Sequence, residues 1–159
     1  MILFCLFIIV LLVSIDQYTK SVVLKTINLL DKHEVIPNFF YITNVRNTGA
    51  AWSILEGKQT FFIIITFIAI AVFVYLLYKD RNKSKLLTIS YLLIISGAIG
   101  NLIDRITNAY VVDFLDFYIF GYDFPVFNVA DSFLTIGVIL IFIYSFLEYR
   151  SGKNKTNSK

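Results

Sequence analysis

The stretch FFIIITFIAIAVFVYLLY, residues 61–78, holds eighteen residues with one Thr and no charge. A soluble helix of that length keeps a polar face, and this one has none. A membrane span needs about 20 mostly apolar residues, so the stretch reads as a span nearly unaided. Working outward, a short basic loop (KDRNKSK, residues 79–85) separates it from a second apolar run at 86–103, interrupted only by Ser, Thr, Tyr, Gly and one Asn. A third run, 126–147, contains Asp131, and a fourth opens the chain at 1–15 and continues as an amphipathic segment to about residue 24. The first run has no basic n-region and leads into Asp16-Gln-Tyr-Thr-Lys20 without a small-residue cleavage site, so it reads as a retained span. The expected spans are residues 1–22, 60–78, 86–104 and 126–147, in a single membrane domain over 1–150 with a polar, disordered cytoplasmic tail at 151–159.

Composition agrees. Hydrophobic residues make up 58% and charged residues 16%, against roughly 25% charged in soluble domains. A disordered chain is excluded, and a soluble globule of this size lacks the charge to cover its surface. One Cys and one His exclude a disulfide framework and make a multi-Cys or multi-His metal site untenable. No metal or cofactor is expected, and Cys5 reads as an apolar filler. The net charge of +3 is too mild for a nucleic-acid binder, but it is unevenly spread. The loop 79–85 and the region from Glu148 onward together carry a net +6, and the segments 16–58 and 104–131 a net −3. Basic loops stay in the cytoplasm, so both termini and the loop 79–85 are expected inside, and residues 24–58 and 105–125 outside.

The outer segments carry their own signals. Residues 35–45 (VIPNFFYITNV) and 111–120 (VVDFLDFYIF) are rich in β-branched and aromatic residues and read as strands of a small outward-facing sheet. Residues 48–57 read as a short interfacial helix, with Thr48 as N-cap, Gly57 as stop and Trp52 at the interface.

Ionisable residues inside spans are expensive and require a reason. Asn128, Asp131, Ser132 and Thr135 form one polar stripe on the last span, and Asn101, Asp104 and Arg105 share a face of the third. Asp16 and Lys20 are i,i+4 neighbours on the first. Three spans thus bring polar groups to the same end at similar depth. Asp16–Lys20 and Asp104–Arg105 read as readily as helix-end salt bridges as chemistry. Asn101 and Asn128 are either interhelical hydrogen-bond glue or organisers of a site. Asp116, Asp123 and His33 read as solvated outer-loop residues. Asp131 has no cation on its own helix, and Asp113 follows just outside the third span. Two carboxylates sharing a low-dielectric site tend to share one proton, so one can act as general base on a water while the other donates to a carbonyl oxygen. That chemistry needs no metal, cofactor, Ser, Cys or His. The GxGD signature of presenilin-like proteases, the P-loop, the dinucleotide fingerprint and HExxH are all absent. Two rival classes remain open at this point: a small channel or ion-coupled transporter using intramembrane Asp residues, and a non-catalytic membrane assembly protein.

Five blocks make a resemblance specific: Asp16-Gln-Tyr-Thr-Lys20, Asn47-Thr-Gly-Ala-Ala-Trp-Ser53, Gly100-Asn-Leu-Ile-Asp-Arg105, Val111-Val-Asp-Phe114 and Phe127-Asn-Val-Ala-Asp-Ser132. In this order and spacing the chain resembles the lipoprotein signal peptidases, the type II signal peptidases of bacteria. The resemblance implies an integral membrane, mainly α fold: a four-helix bundle with a small outward β-cradle and a short interfacial helix. It implies an aspartic endopeptidase of the bacterial cytoplasmic membrane, monomeric, in contact with membrane lipids, with its site near the outer leaflet. The implied substrates are lipid-modified prolipoproteins, cut on the amino side of the diacylglyceryl cysteine. Asp113 and Asp131 take the catalytic positions. Asn47, Asn101, Asp104, Arg105 and Asn128 take site-supporting or substrate-binding ones, and Asp16 and Lys20 form a structural polar pair.

Overall fold

A computed structural model describes residues 2–49 and 55–156. Its elements run α1 (Ile2–Thr26), β1 (Lys32–Ile36), β2 (Phe40–Asn47), α2 (Gln59–Lys79), α3 (Lys85–Asn108), β3 (Val111–Ile119), β4 (Tyr122–Asp123) and α4 (Val129–Thr156). All four helices are long and apolar enough to cross a membrane. Their burial ranks them. Two-thirds (67%) of the apolar stretch of α3 is enclosed by the protein, against 0% for α2 and 11% for α1 and α4. An apolar helix with nothing covering it is stable only in lipid, so α3 is the central post and α2 a lipid-facing wall.

Small residues let the helices close on α3. A Cβ at Gly97 would strike the Ala130 carbonyl and come within 2.9 Å of the Leu134 side chain, and one at Gly137 would meet Ile94 at 2.6 Å. α3 and α4 therefore approach closely at two levels, the small-residue packing typical of membrane helices. Ser84 caps α3 at its start, its hydroxyl accepting the Leu86 N–H at 3.1 Å. At the other end Ala109 takes a left-handed conformation, turning the chain at once into β3.

The four strands form one antiparallel sheet in the order β1-β2-β3-β4. Residues 35–45 are not one strand as expected: the chain reverses at Pro37, Asn38 and Phe39, with Asn38 at positive φ and the Phe39 N–H donating to Ile36. Proline removes a ladder donor, and the Pro-Asn pair is a turn signal. Asn47 pairs with Val111 and Val45 with Asp113, which sets Asn47 diagonally beside Asp113. A buried cluster of Val23, Val112 and Phe114 anchors the sheet to the end of α1.

Three boundaries differ from expectation. α3 runs to Asn108, which puts Asp104 and Arg105 within the helix. α4 begins at Val129, because Phe127 is held by Leu115 of β3 in an isolated bridge. Its helix also continues to Thr156 through residues expected to be disordered; Gly152 alone costs about 1 kcal/mol, too little to stop a helix. The expected interfacial helix centres on residues 50–54, which lie outside the described residues, as does Trp52. On either side of it, Thr48 O accepts the Gly57 N–H at 3.1 Å and the Gln59 side chain at 2.6 Å.

Candidate active site

Asp131 stands in the first turn of α4 and Asp113 in the middle of β3. Asn128 joins them. It precedes α4 as its N-cap: its Oδ1 accepts the Asp131 N–H at 2.9 Å, and Asp131 Oδ2 accepts the Asn128 N–H at 3.1 Å. This reciprocal pair is a capping box, so the local rule that starts the helix also orients the carboxylate. The Asn128 amide Nδ2 then donates to Asp113 Oδ1 at 2.7 Å and to Asn101 Oδ1 at 3.2 Å. Asn101 Nδ2 donates to Asp131 Oδ1 at 2.7 Å, and Asn47 Nδ2 to Asp113 Oδ2 at 2.8 Å. Each of the four carboxylate oxygens therefore accepts an N–H from a neutral amide.

Both acids line one cavity of about 560 Å³. Its walls are largely apolar: Phe62, Ile65 and Ala69 of α2, Ala98 of α3, Leu134 of α4, and Phe124 to Phe127 of the segment entering α4. Burial is the main cause lifting the Asp113 carboxyl to about 7. The neighbouring Asp131 lifts it further, while the amides of Asn47 and Asn128 and the charge of Lys20 hold it down. A carboxyl poised there can hold or release a proton near neutral pH, and with a second carboxylate beside it the pair suits general acid–base work on a bound carbonyl.

Behind the two acids lies a fully enclosed polar layer. Lys20 and Asp16 of α1 are 2% and 0% exposed, so the i,i+4 pair their spacing allowed is enclosed within the protein. Lys20 Nζ lies 2.9 Å from Asp16, 3.0 Å from Asp104 and 3.0 Å from Asn101 Oδ1. Asp16 also accepts the Ala130 N–H at 2.9 Å, tying α1 to the first turn of α4. Asp104 accepts the Val112 N–H at 3.1 Å, tying α3 to the residue before Asp113. Asp104 therefore pairs with Lys20 and not with Arg105. Arg105 reaches the cavity instead: its guanidinium lies over the Phe62 ring at 4.9 Å and donates to Gly49 O at 3.2 Å.

Every residue singled out for the site is thus brought together. Sequence reasoning missed Gln17, whose amide donates to Asp16, Asp104 and the Gly100 carbonyl. The signal was its place between Asp16 and Lys20. It also missed the aromatic seat that Phe62 gives Arg105. Asp116 corrects an expectation. It is fully buried with Lys32 Nζ at 2.7 Å, on the strand face it shares with Val112 and Phe114, which pack on Val23 of α1. Asp123 and His33 are exposed, as read.

Comparison with known proteins agrees with this arrangement. The family model described as signal peptidase (SPase) II matches residues 8–147. Lipoprotein signal peptidases of Staphylococcus aureus, including that of strain JH9, are 50% identical over 146 residues, covering 92% of this chain and 90% of theirs. A bacterial membrane enzyme solved by the in meso method at 2.3 Å resolution superposes with a TM-score of 0.86 at 50% identity, over 94% of this chain and 90% of that one. A second, at 1.9 Å, gives 0.81 at 51% identity, over 88% and 90%. With a family match across nearly the whole chain, half-identity to curated relatives and a shared four-helix fold, this chain belongs to the signal peptidase II family of bacterial multi-pass membrane proteases.

Proposed function

We propose that the chain removes signal peptides from prolipoproteins whose lipobox cysteine carries diacylglycerol. It cuts the peptide bond on the amino side of that cysteine with a water activated by Asp113 and Asp131. One observation carries the reading: two carboxylates from different elements, both anchored by neutral amide donors, open into a single apolar-walled cavity. One ionised carboxylate takes a proton from water as it attacks the scissile carbonyl carbon. The protonated partner donates to the carbonyl oxygen, giving a neutral diol. Collapse of the diol breaks the C–N bond as a proton passes to the leaving amine of the lipidated cysteine.

The surroundings fit a substrate of this kind. The apolar walls suit a signal helix and acyl chains. Asp131 is the third residue of α4, roughly 3 Å from that helix end at 1.5 Å per residue. With the basic loop 79–85 and both termini in the cytoplasm, that depth is the outer leaflet surface, where a diacylglyceryl cysteine sits. Arg105 faces substrate carbonyl groups from the cavity wall. Asn47, Asn101 and Asn128 hold the dyad, Asp104 locks β3 to α3, and a single copy contains the complete site.

The test is cleavage of a diacylglyceryl-modified precursor by purified protein in nanodiscs. Asp113→Asn and Asp131→Asn are each expected to lose on the order of 10²–10⁴-fold in rate while remaining folded. Near-normal cleavage by either folded variant would remove the dyad. Equal rates on lipidated and unlipidated precursor would remove the substrate class.

A further inference from the structure

Lys20 is as enclosed as a side chain can be, and all of its hydrogen-bonding capacity is spent. An ammonium carries three donors and no acceptor. Here three acceptors surround it: Asp16 Oδ2 at 2.9 Å, Asp104 Oδ2 at 3.0 Å and Asn101 Oδ1 at 3.0 Å. Two carboxylates already outnumber the one cation, so charge neutralisation does not call for the third contact. That contact has a different consequence. Because Lys20 can only donate, the Asn101 amide must turn its oxygen toward Lys20 and its nitrogen toward Asp131 Oδ1, 2.7 Å away. A flipped Asn101 would set N–H against ammonium at one end and oxygen against carboxylate at the other. The same oxygen receives the Asn128 amide at 3.2 Å, and Asn128 has its own determinant: the Asp131 backbone N–H can only donate to Asn128 Oδ1, which turns Asn128 Nδ2 toward Asp113 Oδ1.

We infer that Lys20 is a positioning residue of the dyad: it holds Asn101 with its oxygen toward the ammonium and its nitrogen toward Asp131, while Asn128 serves the Asp113 side, so that both acids meet only N–H donors on their anchored sides. This goes beyond a structural ion pair with Asp16, and it rests on the reading of Asp113 and Asp131 as the catalytic dyad. The chain of direction runs from a donor-only group, through one amide with an accepting and a donating end, to the Asp131 carboxylate. Gly100 makes room for it, since a Cβ there would come within 2.5 Å of Asp16 Oδ2.

The experiment separates orientation from charge. Lys20→Met leaves Asp16 and Asp104 facing each other without a cation, so loss of activity in that variant alone could reflect misfolding. Lys20→Met combined with Asp16→Asn restores the trio's formal charge of −1 but leaves Asn101 Oδ1 without the ammonium, with only its longer contact from Asn128 Nδ2 at 3.2 Å. Each protein is purified into nanodiscs, its unfolding midpoint is recorded, and kcat and KM are measured on a diacylglyceryl-modified precursor, with Asp113→Asn as the inactive control. The double variant is expected to fold, to bind substrate with KM within about threefold of wild type, and to lose ten- to hundredfold in kcat. Wild-type kcat in the folded double variant would overturn the proposal and leave Lys20 a counter-ion. A loss confined to KM would also overturn it, as would failure of the charge-matched variant to fold, which would make Lys20 part of the bundle's framework. If Asp113→Asn cleaves normally in the same assay, the dyad reading fails instead.

Discussion

Replacing Asn47 by Ala removes one N–H donor from Asp113 and nothing else from the dyad, so it tests directly how the site holds its working pH. The Asn47 amide lies 2.8 Å from Asp113 Oδ2, and it is one of the groups that hold a carboxyl lifted by burial down to about 7. A hydrogen bond to a charged group contributes roughly 1.5–3 kcal/mol, and one pKa unit corresponds to about 1.4 kcal/mol. The bond favours the ionised form, so its loss favours the protonated form and moves the value up by roughly one to two units. The dyad needs one ionised member to activate water. The acid limb of kcat/KM, an apparent value belonging to the pair, therefore moves to higher pH. Near pH 6.5 the variant should be roughly ten- to a hundredfold slower than wild type, and near pH 9.5 within a few-fold. Asn47 Oδ1 also accepts the Gly49 N–H at 2.9 Å, and losing that turn contact adds a pH-independent loss. The assay is initial rates on lipidated precursor in nanodiscs from about pH 5.5 to about pH 9.5. A uniform loss across that range, or a limb displaced toward acid, would refute the reasoning.

Other outcomes follow from the same contacts. Asp113 binds its proton more tightly folded than unfolded, so its contribution to stability is greatest below about pH 4 and is lost as pH rises to about 7. That rise in proton affinity corresponds to about 4 kcal/mol, and the fall in unfolding midpoint over that window should be markedly smaller in Asp113→Asn. Gly100→Ala places a methyl against Asp16 and within 3.2 Å of Ala130 Cβ; it should destabilise by about 1–3 kcal/mol, and an unchanged midpoint would mean that α1 and α3 separate freely. Lys32→Met leaves the fully buried Asp116 without its cation, though Lys32 is itself half-exposed. A loss of about 1–2 kcal/mol is expected, read as faster amide exchange in β1 than in α3, and unchanged exchange would show the ion pair to be idle.

The spans were legible because lipid imposes a simple rule, length and apolarity with no polar face, which residues 61–78 obey openly. The site was legible for a related reason. Asp131, Asn101 and Asp16 are costly where they stand, and cost marks use. What stayed hidden depends on contacts between elements distant in sequence. Asp116 has the same local pattern as a solvated strand residue, and its partner Lys32 lies 84 positions away on β1. Lys20 looked like one half of an i,i+4 pair because the sequence shows its helix and not α3 beside it. The hairpin at Pro37-Asn38 is different: its turn signal was present, and a rich run of strand formers on both sides obscured it.

The dyad's proton affinity is a balance between two opposed terms, and the geometry explains why amides, not cations, provide the second. Burial alone would keep the Asp113 carboxyl protonated. A cation in direct contact would fix one as a carboxylate at every pH and prevent it from exchanging a proton. Neutral N–H donors stabilise the charge by a smaller amount, and they anchor one side of each oxygen while leaving it able to take a proton. The site has both kinds of group and keeps the cations out of contact with the two acids, Lys20 in the layer behind them and Arg105 on the cavity wall. The only ammonium in the polar layer, Lys20, touches Asn101 and never the two cavity-facing acids, while Arg105 turns to Phe62 and Gly49. The amides of Asn101 and Asn128 stand between cation and dyad, passing on direction while attenuating charge. That layering lets a carboxyl 3% exposed settle at about 7 instead of at either extreme.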